Sequence, residues 1–165
     1  MPEKATLRRA QRDKRQGKSA STQAGEFVRE EIEHIREGKH SAQSTKQAIA
    51  IGLSKARRAG VKLRAPNPGT TSRQTRRKAE RDLAKGRTSG ATSRKRARAT
   101  LRALKRKGRS AASTAALSRQ AHAAARARGK TARSAAARKA VRTKGRRGRM
   151  KAARKAARTR AARRT

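Results

Sequence analysis

STQAGEFVREEIEHIREGKHSAQSTKQAIAIGLSKARRAGVKLRAP, Ser21 to Pro66, decides the fold, because it is the part of the chain able to bury a core. It holds the single Phe, Phe27, and all four Ile (Ile32, Ile35, Ile49, Ile51), together with Val28, Leu53, Val61 and Leu63. At about 100° per residue, Ala24, Val28, Ile32 and Ile35 share one face with Phe27 at its edge, so an amphipathic helix is predicted from Thr22 or Gln23 to Glu37, ended by Gly38. A second helix starts at Ser44, where Ser44-Thr45-Lys46-Gln47 supplies a capping box, and stops at Gly60. Its inner face is Ile49, Leu53 and Ala56, flanked by Ala48, Gly52 and Ala59. The expected hairpin core is therefore Phe27, Val28, Ile32, Ile35, Ile49 and Leu53. The short connection Lys39–Ser44 suits two antiparallel helices.

Two charged stripes flank this core. Glu26, Glu30, Glu33 and Glu37 line the back of the first helix, a solvated face in the plain reading and a dock for the chain's own basic segments in the sharper one. Lys55, Arg58 and Lys62 lie on the far side of the second helix with Arg57 and Arg64 near them, and these five are expected to contact phosphates. The large apolar side chains of the hairpin are too few to offset the entropy of ordering it alone. It is expected to dimerise, to pack on a neighbouring arm, or to be marginally stable.

Outward from the hairpin the composition changes. Charged residues make up 36% of the chain and aromatics 1%, with a formal charge of +42, a balance typical of segments that do not fold by themselves. The charge is uneven: residues 83–165 carry +30 with no Asp or Glu, and residues 1–82 carry +12. The organisation reads as a basic N-terminal arm (1–20), the hairpin (21–66), a linker with weak helix (67–92) and a basic Ala/Arg-rich low-complexity tail (93–165). The expected fold class is mostly α, a short antiparallel helical hairpin flanked by long basic arms that are largely disordered or conditionally helical.

Within the arms, a short helix is expected over Leu7 to Gln16, with Thr6 as its cap and Gly17 as its stop. Further helices are expected over 73–85 and 93–107. RRAQRDKRQGK (Arg8–Lys18) shares five identical positions with RKAERDLAKGR (Arg77–Arg87): Arg8/Arg77, Ala10/Ala79, Arg12/Arg81, Asp13/Asp82 and Gly17/Gly86. In the tail, AARKAVRT (136–143) returns 16 residues later as AARKAART (152–159). Arg138, Lys139, Arg142, Arg154, Lys155 and Arg158 of these two copies are the expected tail phosphate contacts. Like charges at i, i+4 repel, so helix there is expected to form once phosphates screen them.

No catalytic pattern occurs: there is no Gly-x-Ser-x-Gly and no P-loop, and His34, His40 and His122 lack the i, i+4 spacing of a helical zinc pair. His34 reads as a solvated helix position. No enzyme activity, cofactor or metal is expected. With no Cys and no apolar run long enough to span a bilayer, no membrane partner is expected and the expected location is the cytoplasm, at the nucleoid. Lys and Arg spaced among Ala suit sequence-independent phosphate neutralisation, and the lack of aromatic stacking groups favours duplex DNA over single strands. RNA is the alternative polyanion, as in ribosome-associated structural proteins. A homo-oligomer formed through the hairpin, or a plasmid-maintenance or interaction factor tethered by its tail, are the further alternatives.

HIREGKHSAQSTKQAIAIGLSKARRAG (His34–Gly60) resembles a small uncharacterised bacterial domain whose hallmark is a helix ending Glu-Gly-Lys, a polar turn, and K-Q-A-I-A-I-x-L-S-x-A-R-x-A-G. That resemblance implies the helical hairpin, and, since such proteins are often labelled DNA-binding or plasmid-stabilising, a link to DNA. From about Ser93 the tail is similar in composition to those of linker-histone-like bacterial nucleoid proteins, although it uses more Arg than Lys. This second resemblance implies nonspecific DNA compaction.

Overall fold

A computed structural model describes residues 2–88, 93–106 and 108–162. Among the described residues it is all-helical: α1 (Lys4–Arg15), α2 (Ala20–Arg36), α3 (Thr45–Arg58), α4 (Arg73–Lys85), α5 (Arg94–Lys105), a 3-10 turn (Ser110–Ala112), α6 (Thr114–Ala127) and α7 (Gly129–Ala161). The chain divides into two compact units, Met1–Gln120 and Ala121–Thr165.

The expected hairpin is α2 and α3. Ser19 caps α2, accepting the Thr22 N–H at 3.3 Å, and Ser44 caps α3, accepting that of Gln47 at 3.2 Å. The return arm of the capping box lands one residue early, with Gln47 Oε1 accepting from the Gln43 N–H at 2.7 Å. Gly38 and Gly60 follow the two helices at φ of 77° and 87°, the left-handed region that closes a helix end at little cost only for glycine.

The expected disorder of the arms is overturned: the hairpin uses α1, α4 and the Ser110–Ala112 turn as walls, and the tail is helical over α5, α6 and α7, as the helix propensity of its alanines allows. α1 packs on α2, α4 packs on α3, and the Ser110–Ala112 turn sits against both hairpin helices. One apolar cluster joins Phe27, Ala24, Ala56 and Val61 to Ala10, with Leu7, Leu53 and Leu63 at its margin. The other joins Ile32, Ile35, Ala42 and Ala48 to Ala111 and Ala112, with Val28 and Leu117 beside it. Of the three outcomes open to an undersized hairpin, this is packing on neighbouring segments. Thr45 Oγ1 donates to the Ala111 carbonyl at 2.7 Å and Arg36 Nε to that of Ala112 at 3.0 Å, fixing the turn in place.

α3 is rotated by about one residue from its expected orientation. Its buried stripe is Thr45, Ala48, Gly52 and Ala56, while Ile49, Ile51 and Leu53 are half-buried. The small residues let the two backbones approach closely: a Cβ on Gly52 would stand 2.6 Å from Val28 Cα.

The N-terminal arm differs from its expected form in one residue's role. Thr6 is not a cap but a fully buried residue within α1, whose Oγ1 accepts from Arg9 at 2.9 Å. The repeat between the arms has a structural counterpart. Ala10 and Asp13 of α1 are buried against α2, and their counterparts Ala79 and Asp82 of α4 are buried against α3.

Burial of charge is the larger departure. Glu30, expected on the wet stripe, is 2% exposed, because α1 covers the flank that a bare hairpin would leave open. Glu31 is fully buried. Lys55 Nζ reaches across from α3 to Glu31 Oε2 at 2.6 Å and Glu30 Oε1 at 3.6 Å. The Glu3 N–H donates to Glu30 Oε2 at 3.2 Å. His34, expected to be solvated, instead faces Glu3 Oε1 at 2.8 Å and meets His40 edge-on at a ring separation of 5.8 Å.

Candidate nucleic-acid interface

The distribution of unopposed positive charge follows from where the carboxylates go. Each of the nine acidic residues is paired with a cation at or before residue 82. Glu26 holds Arg9 of α1 at 2.6 Å, Glu33 holds Arg29 at 3.3 Å, Glu37 holds Lys39 at 2.9 Å, and Asp82 holds Arg58 at 2.7 Å. The acidic stripe is therefore spent on ion pairs within the N-terminal unit. Glu3 is held below the usual carboxylate range, chiefly by its hydrogen bonds from His34 and Lys39, and Lys39 is raised by its bonds to Glu37 and Glu3.

The same pairing sorts the five hairpin cations. Lys55 is turned onto Glu31. Arg57, 7% exposed, donates to the carbonyls of Leu63 and Arg64 at 3.2 and 3.3 Å and straps the chain leaving α3; burial pushes its guanidinium down. Arg58 is half-exposed but engaged with Asp82. Lys62 and Arg64 are left at the surface and take part in no ion pair among the described residues. α4 adds a basic ridge opposite its buried Ala79 and Asp82, with Arg73, Arg77, Lys78 and Arg81 exposed.

The C-terminal unit carries charge differently. α7 has no buried residue, and Arg138, Lys139, Arg142, Arg154, Lys155 and Arg158 are all exposed. Its cations are spread round the helix without an apolar face, so it has nothing to bury against a core. The helix breaks at Gly145, whose φ of 60° and ψ of −179° are non-helical. That break exposes the register of the repeat. Gly129 and Gly145 both have positive φ and stand 16 residues apart, so each half of α7 is one copy. Arg133 Nε donates to the Gly129 carbonyl at 3.2 Å as Arg149 Nε does to Gly145 at 3.3 Å, and Thr143 Oγ1 donates to the Lys139 carbonyl as Thr159 Oγ1 does to that of Lys155, at 2.9 and 3.0 Å. A helix N-terminus is a poor place for cations. Here the guanidiniums partly answer it by folding back onto carbonyls, leaving the remaining Arg and Lys outward.

Sequence reasoning missed Glu31 as a buried hub. The signal was present in Glu31-Ile32-Glu33-His34, a carboxylate and an imidazole at i, i+3 on one helix face.

Residues 14–66 match the model of a family of unknown function, DUF6496. The match runs from the end of α1 through the hairpin to the strap after α3, about a third of the chain, and fits an uncharacterised small helical domain. No curated protein and no solved structure matches the chain. Among the described residues no helix is long and apolar enough to cross a membrane.

Proposed function

We propose that the chain binds and compacts duplex DNA without sequence specificity, as a nucleoid-associated protein. One observation carries the reading: every carboxylate is paired with a cation within residues 3–82, while residues 83–165 carry +30 with no acid, and the cations of α7 surround a helix with no buried residue. Thirty cations match the phosphates of roughly 50 Å of duplex, on the order of 15 base pairs. The helical form of α7 supports DNA over RNA, because the B-form major groove is wide enough to admit an α-helix while the A-form major groove is deep and narrow. The hairpin unit, with Lys62, Arg64 and the α4 ridge at its surface, adds a second basic face.

Titration with a labelled duplex over a range of salt tests this. Log affinity should fall linearly with log salt at about −0.9 per phosphate neutralised, and bulk competitor DNA should displace the label. A flat salt response, or strong preference for one sequence, overturns the proposal. Release of the protein from lysate by RNase but not DNase would replace DNA with the ribosomal-RNA reading.

A further inference from the structure

Glu31, His34 and His40 form a cluster that nucleic-acid binding does not use. Glu31 and His34 stand at i, i+3 on α2, the Glu-x-x-His spacing that places a carboxylate and an imidazole on one helix face in metal-binding bundles. His40 turns back from the α2–α3 connection. One ligand atom of each residue lies within 4.8 Å of the other two, and the closest measured pair is Glu31 Oε1 to His40 Nε2 at 3.1 Å.

Two features of this cluster ask for a cation. Glu31 is fully buried, and although Lys55 and His40 are close to it, neither of its oxygens receives an aligned hydrogen bond. Lys55 supplies charge at 2.6 Å without an aligned hydrogen bond, so both buried oxygens keep unfilled acceptor capacity, which is costly. His40 Nε2 faces Glu31 Oε1 at 3.1 Å while its Nδ1 lies 3.4 Å from the Ser41 carbonyl, so the ring is held with one nitrogen on the carboxylate and the other on the backbone. A backbone carbonyl on the far nitrogen is also how a liganding imidazole is commonly oriented.

We propose that Glu31, His34 and His40 hold one divalent transition-metal ion of the zinc class, which staples the end of α2 to the connection leading into α3. Two imidazoles and a carboxylate select zinc-like ions over magnesium or calcium, and leave a fourth position for water. Ligand atoms in such a site stand about 3.3 Å apart, given bonds of about 2.0–2.2 Å, so the Glu31–His40 edge is already near that length and the edges to His34, within 4.8 Å, are the ones to adjust on loading. A small helical core with few large apolar side chains is the setting in which a metal staple adds most.

The test uses untagged full-length protein, cleared of nucleic acid in high salt and stripped with chelator, titrated with Zn2+ by calorimetry and with Co2+ by absorption. One ion per chain, a tetrahedral Co2+ spectrum and a higher melting temperature with Zn2+ are expected. His34→Gln and His40→Gln should each weaken binding by about 10-fold or more, with His122→Gln unchanged. Far-ultraviolet circular dichroism of the metal-free variants, compared with metal-free wild type, separates lost ligation from lost folding; His34, nearer the surface, is the variant expected to fold normally. Absence of binding overturns the proposal, as does binding that survives His34→Gln. It is equally overturned if the two variants lower the melting temperature by the same amount with and without Zn2+, since both rings would then be structural only.

Discussion

At the residue scale, the hairpin is set by a glycine and a lysine. Gly52 lies where α3 crosses α2, and an added methyl would meet Val28 Cα at 2.6 Å, backbone that has no rotamer to give. Gly52→Ala is therefore expected to lose about 1–3 kcal/mol despite the better helix propensity of alanine, and a thermal melt of the variant reads the loss. Lys55 opposes two buried carboxylates at once. Lys55→Met keeps the length of the side chain but leaves Glu30 and Glu31 without their cation, and should cost about 3 kcal/mol in urea unfolding. Combining it with Glu31→Leu should recover part of that, because an apolar pair replaces a stranded charge.

At the scale of elements, α1 and α4 play matching parts on either side of the hairpin. Each buries an alanine and an aspartate one turn apart against the nearer hairpin helix, but the aspartates are anchored differently. Asp82 accepts from Arg58 at 2.7 Å and from Ser54 at 2.6 Å, both on α3, whereas Asp13 is met by Lys18 at the end of its own helix. Asp82→Ala should therefore release α4 itself: amide exchange should accelerate through Arg73–Lys85 while α2 keeps its protection, and Asp13→Ala should have a smaller effect on α1. The helices themselves were legible in the sequence, because caps and stops such as Ser44, Gly38 and Gly60 are local signals, although α2 starts at Ala20, capped by Ser19, rather than at Thr22 or Gln23. What the helices pack against was not. Leu7, Ala10 and Ala79 are few and small, so α1 and α4 look polar in isolation, and their burial depends on the hairpin lending them a surface. Glu30 and Lys55 were assigned to solvent for the same reason, since a two-helix picture leaves open the flank that α1 closes.

At the scale of the whole molecule, charge divides the chain more sharply than fold does. The N-terminal unit holds all nine carboxylates and builds a core from four helices and a turn; residues past 128 hold 16 Lys and Arg with no acid, and α7 has no buried residue. If stability lives in the first and polyanion affinity in the second, the two separate cleanly on truncation. A chain ending at Arg128 keeps every ion pair and both apolar clusters, so its melting temperature should match the full-length protein within about a degree, measured without nucleic acid. Its affinity for duplex DNA should drop, and the slope of log affinity against log salt should become shallower by up to about 14, at about 0.9 per lost phosphate contact. Lys62→Ala with Arg64→Ala in the intact chain removes two exposed cations and should change that slope by no more than about 2. Equal slopes for the truncated and full-length chains would move the affinity onto the hairpin unit and its α4 ridge, and leave α7 without the task its charge implies.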